Sequence, residues 1–253
     1  MTQRRLHPIA ALALLATPLL ALLWAGAAFA QSLNLDFGGP GGSSTARIIQ
    51  ILAVMTVLSL APSIVIMVTS FTRIIIVLSF LRFALGTQQS PPNVVLVSLA
   101  LFLTGFIMTP TFNEAYTNGI APLLDEQITE AQAFEATVKP FHAFMLSHVR
   151  EQDLSLFQQM AKAGPDQVGA NTPLQALVPA FMISELRRAF EIGFLVYLPF
   201  LIIDMVIASV LMAMGMMMLP PALISLPFKL IFFVLIDGWY LIAGSLVRSF
   251  GTV

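Results

Sequence analysis

Of the 253 residues, 58% are hydrophobic and only 10% are charged, with a mean hydropathy of +0.89. A soluble domain carries about 25% charged residues, so this is a membrane protein or one whose surface is covered by partners. The net charge of −1 gives no basic field for nucleic acid. Without cysteine there are no disulfides, thiolate nucleophiles or cysteine metal sites.

The N-terminus has the layout of a secretory signal peptide over residues 1–30. Arg4 and Arg5 precede an apolar run over 9–23, and Ala28-Phe29-Ala30 is an A-x-A site that predicts cleavage between Ala30 and Gln31. Residues 31–46, with their glycine- and serine-rich centre, read as a flexible tether outside the cytoplasm.

Two uncharged runs follow, at 48–72 and 83–113, each long enough for the ~20 residues that span a bilayer core. Between them Arg73 and Arg82 lie, as expected buried charges, on an apolar helix that breaks at Gly86 and Pro91-Pro92. Residues 47–113 are therefore expected to form a first hydrophobic hairpin. From Glu114 to Asp166 there are eight acidic residues and three basic ones, so 114–184 reads as an amphipathic helical region. Leu124, Ile128, Ala131, Phe134 and Val138 fall on one helical face, and Pro140 is expected to restart the chain. Asp153 is placed to cap a helix ending at Gly164-Pro165, and Thr172-Pro173-Leu174-Gln175 has the form of a capping box. His142 and His148 are six apart and do not share a face as metal ligands would; ordinary interface histidines is the simpler reading.

A second hydrophobic hairpin is expected over 185–253, with apolar stretches at 192–218 and 228–247 divided by Pro220, Pro221 and Pro227. The pattern predicts an all-α, membrane-type chain of two helical hairpins. Basic residues near the tips place these in the cytoplasm by the positive-inside rule and the acidic middle in the periplasm, in accord with an exported N-terminus.

Three features of the second hairpin carry functional weight. Asp204 and Asp237 lie in apolar stretches, where a carboxylate costs about 2.5–3.5 kcal/mol. They suit a structural hydrogen-bonding role, a proton relay in a small-solute or ion transporter, or an intramembrane aspartyl protease, although the sequence contexts such proteases use are absent. Glu185 and Lys229 are too far apart along a straight hairpin to meet, so a pair between them requires a second subunit or a sharp bend. Met212, Met214, Met216, Met217 and Met218 end in Leu219-Pro220-Pro221. Methionine is flexible and polarizable, so the cluster is either packing filler or a deformable seal, with Gly215, Pro220 and Pro221 as its hinge. No phosphate loop, nucleophile elbow or zinc-helix motif occurs; no cofactor, metal or enzymatic activity is expected.

Two stretches together resemble the FliP/SctR family. One runs through Pro62-Ser63, Met67, Thr69-Ser70-Phe71, Arg73, Val77-Leu78-Ser79, Leu81-Arg82, Ala84-Leu85-Gly86, Gln88-Gln89 and Pro91-Pro92-Asn93. The other runs through Ser184-Glu185-Leu186, Ala189-Phe190, Ile192-Gly193-Phe194, Pro199-Phe200, Ile203-Asp204, the methionine cluster, Pro220-Pro221, Ser225-Leu226-Pro227-Phe228-Lys229 and Asp237-Gly238-Trp239. The family comprises export-gate proteins of flagellar and virulence type III secretion, and the signal peptide is like its flagellar branch. The resemblance implies a pentamer-like ring with FliQ-type and FliR-type partners (SctS and SctT). It also implies a conical pore largely above the inner-membrane plane that passes unfolded flagellar substrates. In that setting Met216, Met217 and Met218 form the pore gasket, and Glu185 and Lys229 form an ion pair between subunits.

Overall fold

The computed structural model describes residues 44–87, 89–161, 169–216 and 218–251. The signal peptide, the cleavage site at Ala30 and Gln31, and the tether up to residue 43 lie outside the described residues, as does Met217. Every regular element described is helical. The all-α expectation holds.

The first helix, α1 (Ser44–Val68), begins inside the stretch read as tether. Its first part, to Val57, belongs to one compact unit, and the chain from Leu58 onward forms another. Thr69 stops α1: its hydroxyl donates to the Val65 carbonyl at 2.7 Å and accepts from the Phe71 amide at 3.4 Å, so two groups orphaned by the helix end are satisfied.

The next helix, α2 (Phe71–Ala84), was expected at a hairpin tip. It is instead the hub of the second unit. Ile74, Val77, Leu78, Leu81 and Ala84 are buried at the three-four spacing of one face, and Phe71 and Thr72 close its first turn. The helix ends at Gly86, whose φ of +76° is open to glycine without strain. Thus 47–113 holds three helices and not a two-helix hairpin.

α3 (Asn93–Ala115) runs on through one wide turn, Tyr116–Ile120, into the short α4 (Ala121–Leu124). Gly119 in that turn is required by close approach: a Cβ there would lie 2.1 Å from Thr137 Oγ1. The boundary drawn at residue 113 therefore falls inside continuous helix, because charge marks contact with water and not the end of hydrogen bonding. α5 (Glu130–His148) starts at a capping box in which Thr129 and Gln132 bond reciprocally. The apolar face predicted from Leu124 to Val138 is broken by the turn before Thr129, and Leu124 and Phe134 are exposed. Pro140 does not restart the chain; it is buried within α5.

α6 (Glu151–Met160) has Arg150 at its cap position, and Asp153 sits in its first turn facing Ser184. Thr172 does not cap the following helix. Its hydroxyl donates to the Gly169 carbonyl at 2.7 Å, and Pro173 takes the cap position of α7 (Leu174–Ala213). This 40-residue helix, about 60 Å long by its rise, carries Glu185 in mid-course. The boundary at 184/185 is thus internal to it. α8 (Pro221–Leu235) includes Pro227, which does not break it, and α9 (Gly238–Arg248) follows after a bend of 64°.

The main core packs α2 against α3, α7 and α9 through Phe71, Ile74, Leu78, Ala100, Ala189 and Leu246. A second cluster joins Leu81, Leu85, Phe200 and Phe233, and a third joins Met145, Leu177 and Phe181. Among the described residues three helical stretches are long and apolar enough to cross a membrane, Ile51–Val68, Asn93–Leu124 and Leu174–Ala213, or four if the bent α8–α9 pair counts as one. Most of the apolar surface of these stretches is uncovered within the single chain. Covering it is left to lipid or to other subunits.

Candidate functional site

The methionine cluster occupies the connection between α7 and α8. The prolines do not stop α7; Gly215 does. With φ at +73°, Gly215 donates its N–H to the Met212 carbonyl at 3.1 Å, while the Met216 N–H reaches back to the Leu211 carbonyl at 2.9 Å. This pair of hydrogen bonds is a Schellman cap, which needs a left-handed residue at that position. Pro220 and Pro221 instead start α8, where a missing N–H costs nothing. Both ends of the connection are therefore fixed by backbone chemistry, and the methionines lie between fixed ends.

Their exposure excludes a filler role inside this chain. Met212, Met214 and Met216 are all exposed, and Met218 is 97% exposed. A core filler would be enclosed. The connection offers flexible, polarizable side chains to whatever faces it.

Two charge pairs hold the helices that carry this connection. Lys229 on α8 donates to Asp204 Oδ2 at 2.6 Å, and the Ser225 hydroxyl donates to Asp204 Oδ1 at 2.5 Å. Asp204 lies nine residues before the end of α7 and Lys229 eight residues after the start of α8. The pair therefore fixes the hairpin register roughly 13 Å from its tip.

The second pair lies deeper. Arg73 on α2 makes a two-pronged contact with Glu185 on α7, with Nε to Oε2 at 2.7 Å and Nη2 to Oε1. Both residues are buried. Arg73 Nη1 donates to the Ser249 carbonyl at 3.1 Å and hydroxyl at 3.0 Å, and the guanidinium lies 3.6 Å over the Phe250 ring. All three of its nitrogens donate, four bonds in total, as a buried guanidinium needs. Burial pushes the Arg73 pKa down, the hydrogen bond and charge of Glu185 oppose this, and the charge of Arg188 adds to the lowering. Beside the pair, Ser184 donates to Asp153 Oδ2 at 2.7 Å and accepts from the Arg150 amide, tying α6 to the same turn of α7.

Within the chain Glu185 and Lys229 are thus not brought together. Twenty-eight residues of helix, about 42 Å, separate Glu185 from the α7 terminus, and each charge has another partner. The two aspartates also differ. Asp204 is engaged by Lys229 and Ser225. Asp237 is exposed, with a φ of +51°, at the bend between α8 and α9, not in the middle of a helix. A proton relay or a carboxylate dyad needs two free carboxylates in one setting, so these readings find no support. Arg82 is half-buried and donates to Asn93 Oδ1 and to the Pro91 carbonyl, closing the turn between α2 and α3.

The sequence profile of the FliP family matches residues 54–246. This chain belongs to the FliP family. It is similar to the flagellar biosynthetic protein FliP of Caulobacter vibrioides, at 62% identity over 88% of this chain and 84% of that protein. It is likewise similar to the proteins of that name from Bacillus subtilis, at 52% identity over 85% and 97%, and from Aquifex aeolicus, at 47% over 90% and 96%. The profile covers α2, the α7–α8 connection and both charge pairs. Sequence reasoning missed Ser225, Ser249 and Phe250 as members of these pairs; only the buried charges themselves gave a signal.

Proposed function

We propose that the chain is a subunit of a flagellar protein export gate, located in the inner membrane with the region of α5 and α6 on the periplasmic side. Several copies form a ring with FliQ-type and FliR-type subunits, and the ring surrounds the path of unfolded flagellar substrates. The observation that carries the reading is the α7–α8 connection: soft apolar side chains stand exposed between two rigidly capped helices. In a ring these side chains converge from several copies and close the path. Methionine rotamers then adapt around a passing polypeptide. The Met216–Met218 stretch is the gate, and Gly215, Pro220 and Pro221 mark where its ends are fixed. The chain performs no catalysis in this role; energy enters through other components.

An ion pair between Glu185 and Lys229 of neighbouring subunits is part of the same proposal. It requires Glu185 to leave Arg73 or Lys229 to leave Asp204, so it belongs to a ring state in which one internal pair opens. A charge-swapped double variant that restores ring assembly lost in each single variant is the expected sign.

The experiment is purification of the tagged full chain from its host in mild detergent. The expected product is a large hetero-oligomer containing the two small partner subunits, together with loss of flagellar protein secretion when the gene is deleted. A small homo-oligomer in a strain that still secretes would overturn the reading.

A further inference from the structure

A cavity of about 390 Å³ lies among the end of α1, the end of α3, the middle of α5 and the start of α7. Its wall presents no polar atom; Val65, Phe112, Phe141, Met145 and Val178 are among its lining. The Thr69 hydroxyl at its edge is turned back onto the Val65 carbonyl. An apolar cavity of ~150 Å³ already stays dry and takes up a small hydrocarbon. This one has the size of a ligand site, about 300–1,000 Å³, and the chemistry of one for hydrocarbon.

A second cavity, of about 610 Å³, adjoins it, with Phe134, Val138 and Leu174 in the wall of both. This second cavity is charged. Glu135 and Lys139 line it one helical turn apart, with His142, whose Nε2 lies 2.7 Å from the Thr172 carbonyl. Glu135 and Lys139 enter no ion pair among the described residues. An apolar pocket for a tail thus stands against a polar cleft holding one cation and one anion.

We propose that the two cavities together bind one membrane aminophospholipid. An acyl chain fills the apolar cavity, the phosphate faces Lys139, and the ammonium faces Glu135. The source of hydrocarbon is on the same helices. The cavity lies at the ends of two of the stretches able to cross a membrane, at Val65 and Leu174. A side chain from a second copy would fill the apolar half alone and leave the charged half unanswered; that alternative is an outcome of the test.

The test uses the full chain in phosphatidylethanolamine nanodiscs doped with a photoactivatable phosphatidylethanolamine that carries a diazirine in its acyl chain. After irradiation and digestion, mass spectrometry is expected to find adducts on Phe141, Met145 or Val178. Val178→Phe fills the cavity and should abolish those adducts, while adducts on the exposed Phe102 and Phe106 of α3 persist as an internal control for fold and for bulk lipid. Lys139→Glu, a surface change that spares the core, should reduce the same cavity adducts without altering the control. Absence of cavity adducts in the unaltered protein while Phe102 is labelled would overturn the proposal. So would cavity adducts undiminished in both variants, or efficient disulfide cross-linking of Val138→Cys between copies without lipid adducts.

Discussion

The Arg73–Glu185 hub and the α7–α8 connection are opposite physical objects, the one built from charges that the sequence did not pair and the other from a methionine run that it did single out. The hub is buried, fully bonded and reaches three elements: α2, α7 and the C-terminal Ser249 and Phe250. The connection is exposed; its backbone is tied by the cap at Gly215 and by a turn in which the Leu219 N–H donates to the Met216 carbonyl at 3.3 Å. A buried ion pair fixes geometry, because losing one partner strands the other in low dielectric. An exposed run of methionines fixes nothing and so remains free to conform. The contrast separates the parts that hold the subunit's shape from the part available to move.

The contrast would break first at the hub. Arg73→Ala leaves Glu185 uncompensated in the core and should cost about 3–5 kcal/mol, enough to abolish folding; thermal melting of the purified subunit or its loss from membranes reports it. Replacing both residues by methionine should cost far less than Arg73→Ala, since an apolar replacement of a buried pair is often tolerated. If the single and double changes were equally damaging, the pair would not be the hub. Asp204→Ala sharpens the comparison. It strands a nearly buried Lys229, but Asp204 is itself partly exposed, so a smaller loss of about 1–3 kcal/mol is expected. That loss should be accompanied by freer cysteine cross-linking across the α7–α8 hairpin.

Gly215→Ala tests the cap. At a φ of +73° a side chain costs about 1–2 kcal/mol. The expected effect is a modest drop in melting temperature together with altered gating. No change in either would remove the Schellman cap from the account. The smallest stability effect belongs to Met218→Ala, within about 0.5 kcal/mol, because that side chain is almost wholly exposed, with Met216→Ala slightly larger because Met216 is partly covered.

The sequence made the helix class legible, since apolar runs of membrane length leave few alternatives. It also singled out the charges that must be paired. The partners were not legible. Arg73 and Glu185 are 112 residues apart, and Asp204 and Lys229 are 25 apart; no local spacing rule reaches that far, and only packing of α2 on α7 and of α7 on α8 makes the choice. Proline misled in both directions. Pro140 and Pro227 read as breaks in the sequence yet sit inside helices; Pro140 is buried there, so packing offsets its lost bond. At the methionine cluster, glycine and not proline ended the helix. The role of α2 was hidden for a related reason. Two arginines mark a solvent-facing tip by default, and a guanidinium satisfied on all sides is the exception that burial allows.

The most direct test of the gate replaces Met216, Met217 and Met218 together by alanine in the native host. Complex size and ion or small-solute leak are then measured in the same cells. A narrow apolar constriction blocks ions by dewetting, so shortening three side chains in every copy should widen it. The expected result is a complex of unchanged size in a membrane that has become leaky. A complex of unchanged size that stays sealed, or a subunit that no longer assembles, would contradict it.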